Sequence, residues 1–341
     1  MPSERRTGGG PDGALTIAII GAAGHFGYVF EGLKAGVDGV IACFAPGGPD
    51  EDMAPVAAAA AHCAPRSHAD WRTMIDREKP EVAVVNPRFD RTAGITAACL
   101  ERGIHVFAEK PLALTPAGLE LVRVGLARGG AHLAAMHPYR YDPSFNAAFT
   151  AVQAGRTGDL LLLAAQKSYK LGTRAGWWHD RSTYGGTIPW VGAHAVDWLH
   201  WFSGGRLATV AAAHSPRGNR GHGTLEMAAT CLFTLKGGGQ ATATIDYCRP
   251  AAAATHGDDR LRVAGTDGVV EVMGGTARLI TAGDSGVELS PEPAPGTLFG
   301  DFIAQVRGAG DCRVTAADSL EVTRICLATR EAADTGRLMT L

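Results

Sequence analysis

Gly21-Ala22-Ala23-Gly24-His25-Phe26-Gly27 decides the reading of this chain, because of what stands on either side of it. Before it runs Leu15-Thr16-Ile17-Ala18-Ile19-Ile20, an unbroken apolar stretch of the kind a strand buried on both faces requires. After it, a helix is expected from about Phe26 to Ala35. A glycine loop in that setting has a physical purpose. Gly21 permits a sharp exit from the strand, Gly24 lets a ligand approach the backbone, and Gly27 lets the helix lie close to the sheet. The helix N-terminal amides then face an anion such as a pyrophosphate. A plain tight turn in a chain of 45 glycines would account for the loop but not for the pattern around it.

Strand and helix alternate as far as residue 136. The strand Val40–Ala45 ends at Pro46-Gly47-Gly48-Pro49, and helices are expected near Ala54–His62 and Asp70–Glu78. Val82–Val85 is a third buried strand, stopped by Asn86-Pro87. A helix over Thr92–Arg102 ends at Gly103, a residue suited to a helix C-terminus. The strand Ile104–Ala108 leads into Glu109-Lys110-Pro111, followed by a helix over Leu114–Gly129 and a strand over Ala131–Met136. Such alternation implies right-handed crossovers and a parallel sheet.

Beyond Met136 the pattern changes. A helix near Pro143–Gly155 precedes the strand Asp159–Tyr169 and a helix over Val191–Phe202. Strands over Leu225–Leu235 and Gln240–Cys248 are joined by Gly237-Gly238-Gly239, a hairpin signal. Short strands follow at Arg260–Ala264, Val269–Val272, Ala277–Ile280 and Val287–Leu289, and a helix over Ala316–Thr335 closes the chain. The expected architecture is α/β in two domains. A flexible tail, residues 1–13, precedes a Rossmann domain with a parallel sheet, residues 14–136, expected to bind NAD or NADP. Residues 137–341 form a second α/β domain whose successive hairpins make an antiparallel sheet, one face on helices and the other free to make a partner interface.

Composition narrows the partners. Apolar residues make up 46% and charged residues 19% of the 341, with a formal charge of −2. That balance gives no footprint for nucleic acid or an anionic membrane and suits a small-molecule substrate. The seven cysteines are scattered and never spaced Cys-x-x-Cys, which fits a reducing, cytoplasmic setting without a disulfide framework. Arg5-Arg6 invites an export signal, but Leu15–Ile20 is short and runs into the glycine loop, so a strand is the expected reading. No metal site is expected; His194 and His200 are six apart and do not share a helical face.

The second strand ends at Ala45, where an NAD-binding unit usually carries the carboxylate that accepts the ribose hydroxyls. Asp50, Glu51 and Asp52 are the carboxylates able to fold back. No Arg or Lys follows the strand to hold a 2′-phosphate, so the acidic surroundings lean slightly to NAD. Lys110 stands just past the C-terminal end of a parallel strand, the edge along which ligands of open α/β sheets bind. Beside a positive nicotinamide its neutral form is favoured, and it can hydrogen-bond a reacting oxygen. Pro111 fixes the next turn, a candidate for a cis bond.

Three runs now stand together: Glu109-Lys110-Pro111-Leu112-Ala113, Tyr139-Arg140-Tyr141-Asp142-Pro143, and the segment from Tyr184-Gly185-Gly186-Thr187 to Gly192-Ala193-His194-Ala195-Val196-Asp197. With the glycine loop they resemble the glucose-fructose oxidoreductase / inositol dehydrogenase / rhizopine catabolism (Gfo/Idh/MocA) family over nearly the whole chain. The resemblance implies an enzyme, a dehydrogenase or reductase moving hydride between NAD(P) and a sugar, polyol or related small alcohol or carbonyl, with residues 137–341 as a substrate-binding domain whose large, mostly antiparallel sheet joins protomers into a homodimer or homotetramer. It implies Lys110 as the active-site lysine, His194 as the acid/base histidine, and Arg140 facing the same pocket. Gly21, Gly24, His25, Phe26, Gly27, Ala45, Asn86, Pro87, Arg88, Glu109 and Lys110 are then the cofactor-side candidates. Tyr184, Trp190, Asp197 and Lys167 join Arg140 on the substrate side.

One position departs from the family. Relatives of the inositol dehydrogenase type carry an aspartate four residues before the histidine, and here that residue is Trp190. An indole offers a flat apolar wall and one N–H donor where a carboxylate would orient the imidazole. Asp197, one helical turn beyond His194, is the nearest carboxylate for that task. Two other functions share this fold: glycoside hydrolysis through transient oxidation by NAD, and a non-catalytic NAD(P)-binding sensor.

Overall fold

A computed structural model describes residues 13–341, so the expected tail lies, apart from Gly13, outside the described residues. The chain falls into two compact units. The first takes residues up to Met136 together with Gly296–Leu320, and the second takes His137–Pro295 with Glu321–Leu341. The expected second domain, 137–341, is therefore interrupted, because Gly296–Leu320 belongs with the first unit.

In the first unit, β1 (Leu15–Ile20) and β4 (Val82–Val85) coincide with the expected strands, each an apolar run with almost every residue buried. Six parallel strands form the sheet in the order β3-β2-β1-β4-β5-β6, with β2 (Gly39–Ala45), β3 (Arg66–Ser67), β5 (His105–Ala108) and β6 (Leu133–Ala135). Strand order reverses between β1 and β4, and a crevice at such a switch point is where open α/β sheets take their ligands. Helices α1 (Gly27–Lys34), α2 (Ala54–Ala60), α3 (Trp71–Glu78), α4 (Phe89–Glu101) and α5 (Pro116–Gly129) make the connections. Asp70 caps α3 by accepting from the Thr73 amide at 2.8 Å, and Thr115 caps α5 in the same way at Gly118. Helix α4 begins three residues before the expected Thr92, since Arg88 already turns the chain into it.

The returning segment places a further helix against this sheet. Its Phe299 and Phe302 lie 5.3 and 5.6 Å from the Phe107 ring of β5, and Phe299 packs against Gly32 of α1. Burying such rings contributes roughly 1.5–3 kcal/mol each, which explains why the segment leaves the second unit.

In the second unit nine strands run in the order β14-β13-β12-β11-β7-β10-β9-β8-β15. They are β7 (Leu160–Lys170), β8 (Leu207–Ser215), β9 (Ala228–Leu235), β10 (Gln240–Arg249), β11 (Gly257–Gly265), β12 (Gly268–Met273), β13 (Thr276–Thr281), β14 (Asp284–Leu289) and β15 (Met339–Thr340). Every pair is antiparallel except β7 with β10, so the sheet is mixed but mostly antiparallel, as expected. Strand β9 alternates buried and exposed residues along its length, the mark of a sheet covered on one face. The covering helices are α6 (Pro143–Gln153) over β12 and β13, and, after two short helices α7 (Arg181–Tyr184) and α8 (Thr187–Trp190), α9 (Gly192–Phe202) over β7 and β10. The last two helices are α10 (Leu298–Val306), the returning helix of the first unit, and α11 (Ala316–Thr335), which precedes β15. The short elements β3, α7, α8 and β15, with β8 and α10, were not anticipated from the sequence pattern. None of the described helices is long and apolar enough to cross a membrane.

Candidate active site

The glycine loop leaves β1 at Gly21, whose φ of +81° suits only glycine and whose amide donates to the Ala45 carbonyl at 2.9 Å. A Cβ there would sit 2.4 Å from the Pro87 backbone, so the loop, the end of β2 and the end of β4 converge too closely for any side chain. Gly24 is equally constrained, because its Cβ would meet Glu109 Oε2 at 2.5 Å and Asn86 Oδ1 at 2.8 Å. Gly27 differs from expectation. It is exposed at the first turn of α1 and a Cβ there would touch nothing; the close approach of α1 is at Gly32, against Phe299 of α10 rather than the sheet.

The loop amides divide into two sets. Ala22 and Ala23 donate to Glu51 Oε1 at 2.9 and 3.2 Å, and Gly47 donates to Glu51 Oε2 at 2.8 Å. His25 donates through its amide to Glu109 Oε2 at 2.6 Å, and its Nδ1 lies 2.7 Å from the same oxygen. Among the described residues, the amides of Gly24, Phe26 and Gly27 have no partner in the protein. Open amides at a loop–helix junction form a cradle for an anion. Asn86 adds a second sign of a ligand: it is fully buried, and neither its Nδ2 nor its Oδ1 finds a hydrogen-bond partner. Buried amides are seldom left so unless something else completes them. Beside the end of β2 opens a cleft of about 460 Å³ lined by Pro46, Pro49, Trp71, Arg91 and Ile95 among others. These features fit a dinucleotide held by its phosphates at the loop.

Glu51 is thus the carboxylate that folds back, and it stands six residues beyond the strand end at Ala45. Burial raises its carboxyl above the ordinary range, against the pull of the three amides and Arg91. The expectation that no basic residue lies nearby is corrected. Arg91 of α4 reaches Gly48, and both Arg91 and Arg88 pair with Asp50, at 2.7 and 3.1 Å. They come from another connection of the sheet, which spacing along the chain does not reveal.

Lys110 follows β5 at the same edge, 2% exposed, and the Lys110–Pro111 bond is cis. Its amide donates to Glu109 Oε1 at 3.0 Å. Glu109 is fully buried; burial would raise its carboxyl, but His25 and Lys110 outweigh that and hold it below the ordinary value. With both oxygens engaged by His25 and by Lys110, Glu109 braces the loop and the lysine rather than presenting a free carboxylate.

In the second unit, α9 carries His194, 5% exposed, and Asp197. Asp197 does not serve as the expected orienting carboxylate. Its Oδ1 accepts from Arg140 NH2 at 2.7 Å and Arg140 Nε at 3.1 Å, with both side chains almost wholly buried. Arg140, expected to face substrate, is in turn taken up by this pair and lies over the Trp201 ring at 5.7 Å. A buried guanidinium needs a carboxylate, and Asp197 supplies one.

Tyr184 is likewise in the core: it is fully buried, its hydroxyl bonds Thr187 Oγ1, and its ring packs 4.9 Å from Trp178. Trp190, 7% exposed, meets Trp178 edge-on at 5.4 Å. Gly185 and Gly186, at φ +90° and +108°, bend the chain between α7 and α8. Charged groups clamp that bend. Arg330 donates to the Gly185 carbonyl at 2.6 Å, Glu226 accepts from the Thr187 amide at 3.0 Å, and Arg181 joins Glu226 at 2.6 Å.

Lys167 of β7 is fully buried and pairs with Asp259 of β11 at 2.7 Å, while also donating to the Tyr139 hydroxyl. Tyr139, in the 3-10 turn Pro138–Tyr141, donates to the same Asp259 oxygen and presents its ring edge to His194 at 5.2 Å. Sequence reasoning missed Tyr139 and Asp259. Tyr139 stood inside a quoted run, but Asp259 carried no local signal.

Residues 15–133 match the oxidoreductase family with an NAD-binding Rossmann fold, and residues 145–271 match the GFO/IDH/MocA C-terminal domain. Inositol 2-dehydrogenase 2 of Saccharopolyspora erythraea is 32% identical over 175 residues, 49% of this chain; the chain spans about half the length of that relative, 48%. A solved structure from Thermotoga maritima, assigned as an oxidoreductase, is 41% identical, covers 96% of this chain and 100% of its own, and superposes with a TM-score of 0.92. The aldose-aldose oxidoreductase of Caulobacter crescentus, crystallised with glycerol, shares the fold at 19% identity, with a TM-score of 0.81 over 96% of this chain and 100% of its own. With both of its domains matched in this way, the chain belongs to the GFO/IDH/MocA family of oxidoreductases.

Proposed function

We propose that the protein is an NAD-dependent dehydrogenase acting on a secondary alcohol of a polyol or sugar, reversibly. The observation that carries this reading is Lys110, buried and braced by Glu109 at the strand edge that also bears the open amides of the glycine loop. The 32%-identical stretch shared with an inositol dehydrogenase supports a polyol as the substrate class. Gly24, Phe26 and Gly27 would hold the cofactor's phosphates and Asn86 would complete its buried amide on it. The nicotinamide, when bound, supplies the hydride acceptor in oxidation and the donor in reduction.

The residues of this chain handle the proton. As the carbinol C–H bond breaks and its electron pair leaves, the hydroxyl proton passes to His194 in the acid/base role that the family resemblance gives it, and the role the resemblance gives Lys110 is a hydrogen bond to the reacting oxygen. Reduction runs the same path backwards. Glu51 favours NAD, because its carboxylate can accept from ribose hydroxyls and would oppose a 2′-phosphate. The open face of the nine-stranded sheet, where Arg262, Glu271, Arg278 and Glu288 alternate in sign across neighbouring strands, suits a second copy of the chain.

Titration with NADH and NADPH, then a polyol and sugar screen followed by nicotinamide absorbance, tests the reading. Lys110→Ala should keep NADH binding and lose turnover by about two to four orders of magnitude. Failure to bind either nucleotide, or equal turnover by the variant, would overturn it. Sedimentation of the intact protein checks the dimer or tetramer.

A further inference from the structure

Arg174 lies in the connection that leaves β7 after Lys170, and aromatic rings rather than carboxylates hold its guanidinium. The guanidinium carbon stands over the Trp178 ring at 4.9 Å and over the Tyr247 ring at 5.0 Å. Both rings are buried, Trp178 in the 3-10 turn Gly176–His179 and Tyr247 on β10. Contacts of this kind place a cation without using up its N–H donors as carboxylates or carbonyls would. Among the described residues, its one hydrogen bond runs from Nη2 to the Lys170 carbonyl at 3.3 Å; its Nε is buried with no acceptor, and no carboxylate pairs with it. A guanidinium fixed in place with its donors unspent is prepared for an oxyanion from outside the protein.

We propose that Arg174, with Lys170 beside it, binds an anionic group of the substrate, a carboxylate or a phosphate, so that the polyol or sugar turned over is a charged one. This rests on the dehydrogenase reading above and names the substrate class within it.

The local balance of charge supports an anion. Lys170 Nζ donates to the Ala253 carbonyl and, among the described residues, has no carboxylate either. The carboxylates of the neighbouring strand are already taken: Asp259 by Lys167 at 2.7 Å, and Asp258 by Arg260 at 2.8 Å and Arg249 at 3.5 Å. His256, in the loop before β11, registers the excess. Burial, then Arg174, Lys170 and Lys167, hold its imidazole below the ordinary value against the opposing pull of Asp259.

The same unit connects this cation to His194 by two routes. Trp178 meets Trp190 edge-on at 5.4 Å, and Trp190 precedes His194 by four residues. On the other side Tyr169 packs 4.7 Å from His256, Lys167 lies over Tyr169 and Tyr139 at 4.5 and 4.3 Å, and Tyr139 reaches His194 at 5.2 Å. An anion on Arg174 is therefore held by the aromatic wall that borders His194. Trp190 stands where a carboxylate was expected, and its indole spares an anionic substrate the repulsion that a carboxylate would exert.

The test is a comparison of kcat/KM for glucose, galactose and inositol, each against its carboxylated or phosphorylated counterpart, with NAD and the full chain. A charged compound should be preferred by about tenfold or more, and the group on the preferred one tells carboxylate from phosphate. Arg174→Met should cut that preference about ten- to hundredfold, chiefly through KM. Arg174→Lys, which keeps the charge and loses the fork, should fall between, and Lys170→Gln should cut it less than Arg174→Met. Preference for the neutral compounds, or a preference that Arg174→Met leaves unmoved, overturns the proposal. Should Arg174→Met not fold, Arg174→Lys and Lys170→Gln decide, and an unmoved preference in both sinks the idea. Calorimetric titration of the NADH-loaded protein with glucuronate and glucose 6-phosphate separates the two readings. An anion that binds the parent but not Arg174→Met, with no compound turned over, keeps the anion site and removes the dehydrogenase. Turnover of neutral compounds alone keeps the dehydrogenase and removes the site, and neither binding nor turnover removes both.

Discussion

The glycine loop and the surroundings of His194 are built on opposite plans. The loop is made of backbone: open amides at Gly24, Phe26 and Gly27, a positive φ at Gly21, and strand ends too close together for side chains. The His194 region is made of side chains that meet across the sheet and helices: Arg140 with Asp197, Lys167 with Asp259, Tyr139 among them. The first plan recognises a shape common to many ligands, and tolerates little change. The second stores charge in a dry interior, where each group depends on its partner and pairs can be exchanged together.

The sharpest way to break the comparison is at Gly21. Gly21→Val would require a β-branched residue at φ +81° and drive a Cβ to 2.4 Å from the Pro87 backbone. Nucleotide binding should vanish, with a stability loss above about 3 kcal/mol. Calorimetric titration with NADH and thermal unfolding check both; a variant that binds as wild type would show that side chains, not backbone, make the cradle.

Next in size is Arg140→Met. It strands Asp197, 1% exposed, without its cation, which should cost about 3–5 kcal/mol in chemical denaturation. The double variant Arg140→Met with Asp197→Leu should recover most of that loss. Recovered stability with lost turnover would mean that the pair also serves the reaction and is not only structural.

Lys167 gives the comparison a pH axis. Its value falls from an ordinary 10.5 to about 8 in the folded protein, so between those values the unfolded chain binds more protons and stability rises with pH. Below about pH 8 the buried ammonium costs roughly 3 kcal/mol, at 1.36 kcal/mol per pH unit. Lys167→Met should therefore be more stable than its parent near neutrality, less whatever Asp259 loses as a partner, and the gap should close towards pH 10.5. A stability difference independent of pH would contradict the desolvated ammonium.

The same division explains what the residues reveal in linear order. Leu15–Ile20, Val82–Val85 and the helix Ala316–Thr335 are bounded as expected, since periodicity and glycine placement are local properties. The sharp turn at Gly21, the crowding at Gly24 and the place of Lys110 at the end of a strand were legible for that reason. Asp197 was misread as the partner of His194 because one helical turn is visible in sequence while Arg140, 57 residues away, is not. Lys167 and Asp259 are 92 residues apart and meet only through strand register. Helix α10 escaped notice because its reason for folding is Phe107 and Gly32 of a distant segment.

Glu51 crosses the division, a side chain doing the work of a strand-end carboxylate from six residues further on, and it yields the smallest effect. Its oxygens already accept from Ala22, Ala23 and Gly47, and it remains partly exposed, so a ribose hydroxyl can still reach it. Glu51→Gln removes the negative charge but keeps the length. An amide nitrogen would then face one of the backbone donors, weakening the hold on the loop, while Arg88 and Arg91 stay close by on Asp50. The ratio of NAD to NADP affinity should fall by about tenfold, with most of the change arising from tighter NADP binding as the like charge disappears. If NAD binding instead falls alone and NADP does not improve, Glu51 acts by bracing the loop and the preference for NAD must come from elsewhere. Glu51→Asp completes the series: it keeps the charge but is too short for the loop amides, so it should weaken both nucleotides and leave their ratio nearly as it was.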